Sequence, residues 1–295
     1  MQTPSDQTSS NHTTPNFCGM EEQDFSKSKA VVLPVAYEGT VSYLKGTSKG
    51  PAAIIEASRN MEIYDIELDV QPDETDIFTT EEITHRGENP EEMMEKIKKE
   101  YSILLDSGKF IVMLGGEHSV TNGALQALKE KGFKGSILQI DAHADLREEY
   151  EGTKNNHACA MRRAREMFHC VQAGIRSMSV QESRFIKDNK IDTIFYAPLT
   201  EEKIPEIISK LKDDVYITID LDGLDPSIMP GVGTPEPNGL SYEFLLRLLR
   251  AAFEKRNVIG ADVVELMPLP DNKVSDFTAS LITYKLILYK LFLAD

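Results

Sequence analysis

Ser136–Arg147, SILQIDAHADLR, is the stretch whose reading decides the fold. Its apolar run, Ile137-Leu138-Gln139-Ile140, has the length and character of a short buried strand. The run empties at once into Asp141, His143 and Asp145, spaced i, i+2 and i+4 with only alanine between them. In extended chain that spacing sends all three side chains to one side. Two carboxylates and an imidazole, with no thiolate, make a donor set for a hard divalent cation. Taken alone, the pattern fits a solvated acidic loop equally well.

Two other stretches repeat the chemistry. Phe110–Ser119, FIVMLGGEHS, is an apolar strand, a Gly-Gly turn and His118. Val215–Asp225, VYITIDLDGLD, is a β-branched strand that delivers Asp220 and Asp222 at i, i+2. Separately, a histidine after Gly-Gly reads as a cap, and DxDG as a turn. Together the three strand ends carry four Asp and two His. An open α/β sheet gathers the carboxyl ends of its parallel strands along one edge, where ligands bind. Six such ligands suit two cations that share bridging carboxylates.

The rest of the chain alternates in the same way. Strands are expected at 29–34, 110–114, 136–141, 169–173, 193–196, 214–220 and 258–264. Helices are expected within 46–58, over 89–107, 119–131, 158–168, 180–188, 202–212 and 241–255, and from about 275 to 292. Strands alternating with helices of this length predict an α/β fold with a parallel sheet covered on both faces. No Pro/Gly/Ser linker or internal repeat divides the chain. The expected organisation is a flexible N-terminal tail over 1–28, rich in Ser, Thr, Asn and Gln, and one catalytic domain over 29–295.

With 295 residues and 41% hydrophobic content, the chain can bury a substantial core. A net charge of −16 argues against a nucleic-acid partner, which wants a basic face, and favours a cationic small molecule. The apolar runs fall short of the roughly 18 residues of a membrane span, so no membrane partner is expected. Three cysteines, Cys18, Cys159 and Cys170, show neither metal spacing nor an even disulfide set. A reducing, cytoplasmic setting follows as the expectation.

GGEHS, DAHAD, and DLDGLDP followed by GVGTPEP resemble the three signature blocks of the ureohydrolases, the arginase and agmatinase family. The likeness runs from about Lys29 to the C-terminus. It implies a three-layer αβα sandwich on a mostly parallel sheet. It implies that His118, Asp141, Asp145 and Asp220 bind one metal and Asp141, His143, Asp220 and Asp222 the other, so that Asp141 and Asp220 bridge. Two Mn2+ per subunit are expected for hard ligands, with Ni2+ the lesser alternative. Such a pair generates hydroxide at neutral pH and holds it against an electrophilic carbon. Glu265, in GADVVELMP, matches the family carboxylate that takes two hydrogen bonds from a guanidinium. His157, in NNHACAMRR, matches the histidine that shuttles protons to the leaving amine.

The blocks look more like agmatinases than arginases, with GTPEP in place of an arginase-like valine pair and Glu148-Glu149 before 151–156. The expected reaction is hydrolysis of agmatine to putrescine and urea. Where many agmatinases have Ser before the shuttle histidine, this chain has Asn156, here assigned to the substrate together with His157 and Glu265. The alternatives are a guanidinobutyrase, guanidinopropionase, arginase or guanidine hydrolase, and, from another class, a non-catalytic binding or regulatory member. A deacetylase on a related fold stands further off. Relatives imply a homo-oligomer, trimer or hexamer.

Overall fold

The computed structural model describes residues 14–21 and 23–293. It has nine strands in one sheet and eight α-helices among those residues. The strands are β1 (Ala30–Ala36), β2 (Ile77–Thr79), β3 (Ile83–Thr84), β4 (Phe110–Gly115), β5 (Ser136–Ile140), β6 (His169–Ile175), β7 (Ile194–Tyr196), β8 (Asp214–Asp220) and β9 (Asn257–Val264). The helices are α1 (Gly50–Ser58), α2 (Pro90–Leu105), α3 (Thr121–Glu130), α4 (Ala160–Met167), α5 (Val180–Asp188), α6 (Ile204–Ser209), α7 (Tyr242–Lys255) and α8 (Val274–Phe292). The sheet order is β2-β1-β4-β9-β8-β5-β6-β7, with β3 on β1, and every pairing is parallel.

Alternation along the strands sorts the core into two layers. Val32, Val112, Leu114, Leu138, Ile217 and Val263 face Ile54, Leu245, Leu248, Ile282 and Leu286 from α1, α7 and α8. Their neighbours Val31, Leu33, Ile111, Met113 and Ile137 face Met93, Ile97, Leu125 and Met161 from α2, α3 and α4. Strands covered on both faces favour apolar residues at every position, which is why β4 reads as an unbroken apolar run, and β5 departs from one only at the buried Ser136 and Gln139. The result is the three-layer αβα sandwich that the strand–helix alternation predicts.

The differences from the sequence reading are local. Short strands β2 and β3, in the segment between α1 and α2, were not anticipated, because two or three residues carry no periodicity. The expected helix over 202–212 shrinks to α6, entered through a 3-10 turn at Glu201–Lys203. His118–Val120 and His157–Cys159 are 3-10 turns that precede α3 and α4.

Of the segment over 1–28, expected as a flexible tail, residues 14–21 and 23–28 are described. Phe17 is fully buried and its amide donates to Thr79 Oγ1 at 2.9 Å. The Cys18 amide donates to Ser58 Oγ at 2.8 Å, and Asn16 Nδ2 to the Ile77 carbonyl at 3.2 Å. An apolar anchor with satisfied main-chain groups ties this part of the segment to α1 and β2. Residues 1–13 lie outside the described residues.

Candidate metal centre

Four adjacent strands, β4, β9, β8 and β5, end along one edge of the sheet. Their carboxyl ends carry His118, Glu265, Asp220 with Asp222, and Asp141 with His143 and Asp145. The topology therefore brings together residues that the chain scatters over about 150 positions.

At the first cluster, His118 Nδ1 lies 3.1 Å from Asp141 Oδ2, 3.0 Å from Asp145 Oδ2 and 3.3 Å from Asp220 Oδ2. At the second, His143 Nδ1 lies 2.9 Å from Asp222 Oδ2 and 3.7 Å from Asp141 Oδ1. The donor atoms of His118, Asp141 and Asp145 fall within 4.8 Å of one another, as do those of Asp141, His143 and Asp222. Asp141 thus belongs to both groups and turns one oxygen to each. Asp220 approaches His118 through Oδ2 while its Oδ1 accepts the Asp222 amide at 2.9 Å.

This donor set fits divalent cations. His118 Nδ1 is buried and makes no hydrogen bond, although three carboxylates surround it. Burial and the Asp141 charge push Asp145 up to about 7. Burial and Asp222 raise Asp220 well above the carboxylate range. Burial opposes charge on His118 too, yet Asp141, Asp145 and Asp220 hold it well above an ordinary imidazole. So many acids packed out of water call for protons or cations among them, and oxygen with imidazole is what hard or borderline divalent ions take.

Outer groups hold the ligands. His118 Nε2 is 2.9 Å from Thr218 Oγ1, which donates to Asp262 Oδ1 at 2.6 Å. Tyr216 donates its hydroxyl to Asp262 Oδ2 at 2.8 Å. With Nε2–H directed at the threonine, the Nδ1 lone pair faces the carboxylates. Gln139 Nε2 donates to Asp141 Oδ2 at 2.5 Å, and Thr234 Oγ1 to Asp222 Oδ2 at 3.2 Å. Asp262 inside β9 and Gln139 inside β5, polar residues within apolar runs, are the visible signs of this shell in the sequence.

His118, His143, Asp145, Asp220 and Asp222 form one wall of a cavity of about 300 Å³, which Glu265 and His157 also line, while Asp141 is fully buried. Glu265 follows β9 at φ 66°, and its amide donates to Gly116 O at 2.7 Å. Its Oε1 accepts the His118 amide, also at 2.7 Å. Burial, then the adjacent Glu117, raises the Glu265 carboxyl well above its usual range.

His157 sits opposite, with its Nδ1 3.4 Å from Thr40 Oγ1 and its Nε2 3.4 Å from Ser42 Oγ. Burial and the positive charge of His118, His143 and Arg147 lower it to about 4, against the pull of Thr40. Glu117, fully buried, accepts the Thr40 amide and hydroxyl, each at 2.6 Å, and so fixes the loop that faces His157. Nothing in the local sequence around Thr40 and Ser42 marks them for this place. Asn156 is fully buried, and its Oδ1 accepts the Ala158 amide at 3.0 Å. Its side chain caps the turn that carries His157 and is absent from the cavity wall.

The profile of the Arginase family matches residues 28–289. An N(1)-aminopropylagmatine ureohydrolase of Thermus thermophilus is 40% identical over 85% of this chain and 86% of its own length. An agmatinase of Halalkalibacterium halodurans is 36% identical over 85% and 88%. The crystal structure of an agmatine ureohydrolase of Thermoplasma volcanium superposes with a TM-score of 0.80 and 30% identity, covering 94% of each chain.

Proposed function

The chain belongs to the arginase family as an enzyme of the ureohydrolase type, and we propose that it hydrolyses an aminoalkylguanidine to urea and the free amine with two Mn2+ ions. The observation that carries this reading is the pair of carboxylate–imidazole clusters that share Asp141 and present His118, Asp145, His143 and Asp222 to the cavity that Glu265 also lines. Divalent cations bound there would act as Lewis acids and lower the pKa of water toward neutrality.

The protein's own groups supply the rest. Glu265 receives the guanidinium, whose positive charge offsets the cost of a buried carboxylate beside Glu117. His157, neutral at pH 7, faces the same space and can pass a proton to the departing amine. Asn156 acts through His157, by capping the turn that presents it.

Two substrates remain in the class. The 40% identity to an N(1)-aminopropylagmatine ureohydrolase supports the aminopropylated compound as the preferred one. The likeness to an agmatinase and to an agmatine ureohydrolase supports agmatine itself as the second reading. Urea release by the Mn2+-loaded protein from N(1)-aminopropylagmatine, agmatine, arginine and guanidinobutyrate tests both. The expected order puts N(1)-aminopropylagmatine first by kcat/KM, agmatine second, and the two carboxylate-bearing compounds far behind. Preference for arginine would overturn the class. Asp141→Asn, which removes charge from both clusters, serves as the inactive control.

A further inference from the structure

Arg176 follows β6 and lies outside both ligand clusters, yet its five side-chain N–H groups make seven donor contacts, some of them bifurcated and all to main-chain carbonyl oxygens. Nη2 donates to Asp222 O at 2.7 Å, Leu224 O at 3.3 Å and Glu236 O at 2.8 Å. Nη1 donates to Gly174 O and Gly223 O, each at 3.1 Å. Nε donates to Glu236 O at 3.3 Å and Pro237 O at 3.1 Å. Its own amide donates to Ala142 O at 2.8 Å, beside His143. One planar fork therefore ties the end of β6, the turn that carries Asp222, and the Gly/Pro-rich loop over 226–238.

That loop is where Thr234 and Glu236 reach back to the centre. Thr234 Oγ1 bonds Asp222 Oδ2 at 3.2 Å, and Glu236 Oε1 stands 3.6 Å from His143 Nε2. The main chain presses close around the guanidinium: a Cβ at Gly239 would meet Nη2 at 2.7 Å. All these contacts fall on the His143–Asp222 side. His118 and Asp145 are held by other groups: Thr218 Oγ1 lies 2.9 Å from His118 Nε2, and the Asp145 carbonyl accepts the Arg162 amide at 2.9 Å.

We propose that Arg176 is a positioning residue for the His143–Asp222 half of the metal centre alone, by clamping the Asp222 turn to the 226–238 loop. The inference rests on the binuclear reading. A lysine keeps the charge but offers donors from a single nitrogen, so it cannot reproduce the fork.

The test is Mn2+ binding to the metal-stripped full-length protein, read by calorimetry and elemental analysis, with thermal melting to confirm folding. In Arg176→Lys, one Mn2+ should bind as in wild type and the second about 10–100-fold more weakly, the scale for an outer partner of a metal ligand. Arg176→Met should lose at least as much; if it does not fold, the lysine variant carries the test. Asp222→Ala should make Arg176→Lys nearly silent, whereas adding Arg176→Lys to Asp145→Ala should weaken the remaining ion by the same factor of about 10–100. Two ions bound with unchanged affinity in Arg176→Lys, or both weakened equally, overturns the inference and leaves the binuclear reading standing. A wild-type protein that binds fewer than two Mn2+ overturns both.

Discussion

Glu265 holds a left-handed backbone conformation that non-glycine residues seldom adopt, and two hydrogen bonds to the turn at Gly116–His118 keep it there. In the proposed role its value lies in a buried carboxyl that a bound guanidinium would draw into the charged form. Glu265→Gln keeps size and one acceptor but loses the charge-assisted pair with a guanidinium. Lost charge and small misplacement together should lower kcat/KM by at least about 10²-fold for every guanidino substrate, with both cations retained. If one substrate alone suffers, Glu265 reads the amine end instead. His157 gives a pH signature. Its pKa is lowered to about 4 in the folded protein, against about 6.5 unfolded. Between those values the unfolded chain binds more protons, so the histidine's contribution to stability is full above about pH 6.5 and is lost as pH falls toward 4. Urea melts of metal-free protein should therefore show wild type losing stability relative to His157→Gln between pH 7 and pH 5. A pH-independent difference would show an imidazole that is not desolvated.

The turns after the strands, more than the strands themselves, decide how well the site is built. Gly116 has no room for a side chain: a Cβ there would lie 2.0 Å from the Tyr37 carbonyl oxygen. Gly116→Ala must shift the turn that carries Glu117 and His118 and accepts from Glu265. We expect a stability loss above the roughly 1 kcal/mol typical of point substitutions, together with weaker metal binding. The N-terminus of α2 is the contrasting case. Asn89 and Glu92 form a reciprocal capping box, with bonds of 2.9 and 3.0 Å, and neither lines the cavity. Asn89→Ala should cost about 1 kcal/mol in urea melts and leave urea release unchanged. Equal damage to activity from both variants would mean that the site tolerates no loosening anywhere.

At the scale of the whole molecule, the centre and the fold depend on each other. Buried acids on four neighbouring strand ends repel one another, and cations that bind only the folded chain stabilise it by mass action. At a hundredfold excess over Kd the gain is about 2.7 kcal/mol, so chelation should lower Tm by roughly 5–10 °C in scanning calorimetry. No change in Tm on chelation would mean that the acids are neutralised without metal. For the cationic substrate proposed above, the net charge of −16 would add long-range attraction. Urea release at low substrate should accordingly slow as salt rises.

The sequence by itself determined the ligand chemistry and the fold class. Both are local: DAHAD and DLDGLD place donors on one side of a strand end by period-two geometry, and unbroken apolar strands demand cover on both faces. Glu265 was legible only through the likeness of its motif, because nothing in GADVVELMP says which strands flank it. The tertiary structure decided that β9, late in the chain, enters between β4 and β8, pairing Met113 with Asp262 and Asp220 with Val264. That insertion sets Glu265 against His118 and Asp262 behind Thr218. It also assigned Asn156 to a cap and drew Thr40, Ser42 and Arg176 to the site from loops that carry no periodic signal. Strand order and loop contacts arise from packing between distant segments, so they cannot be read from the spacing of residues along one of them.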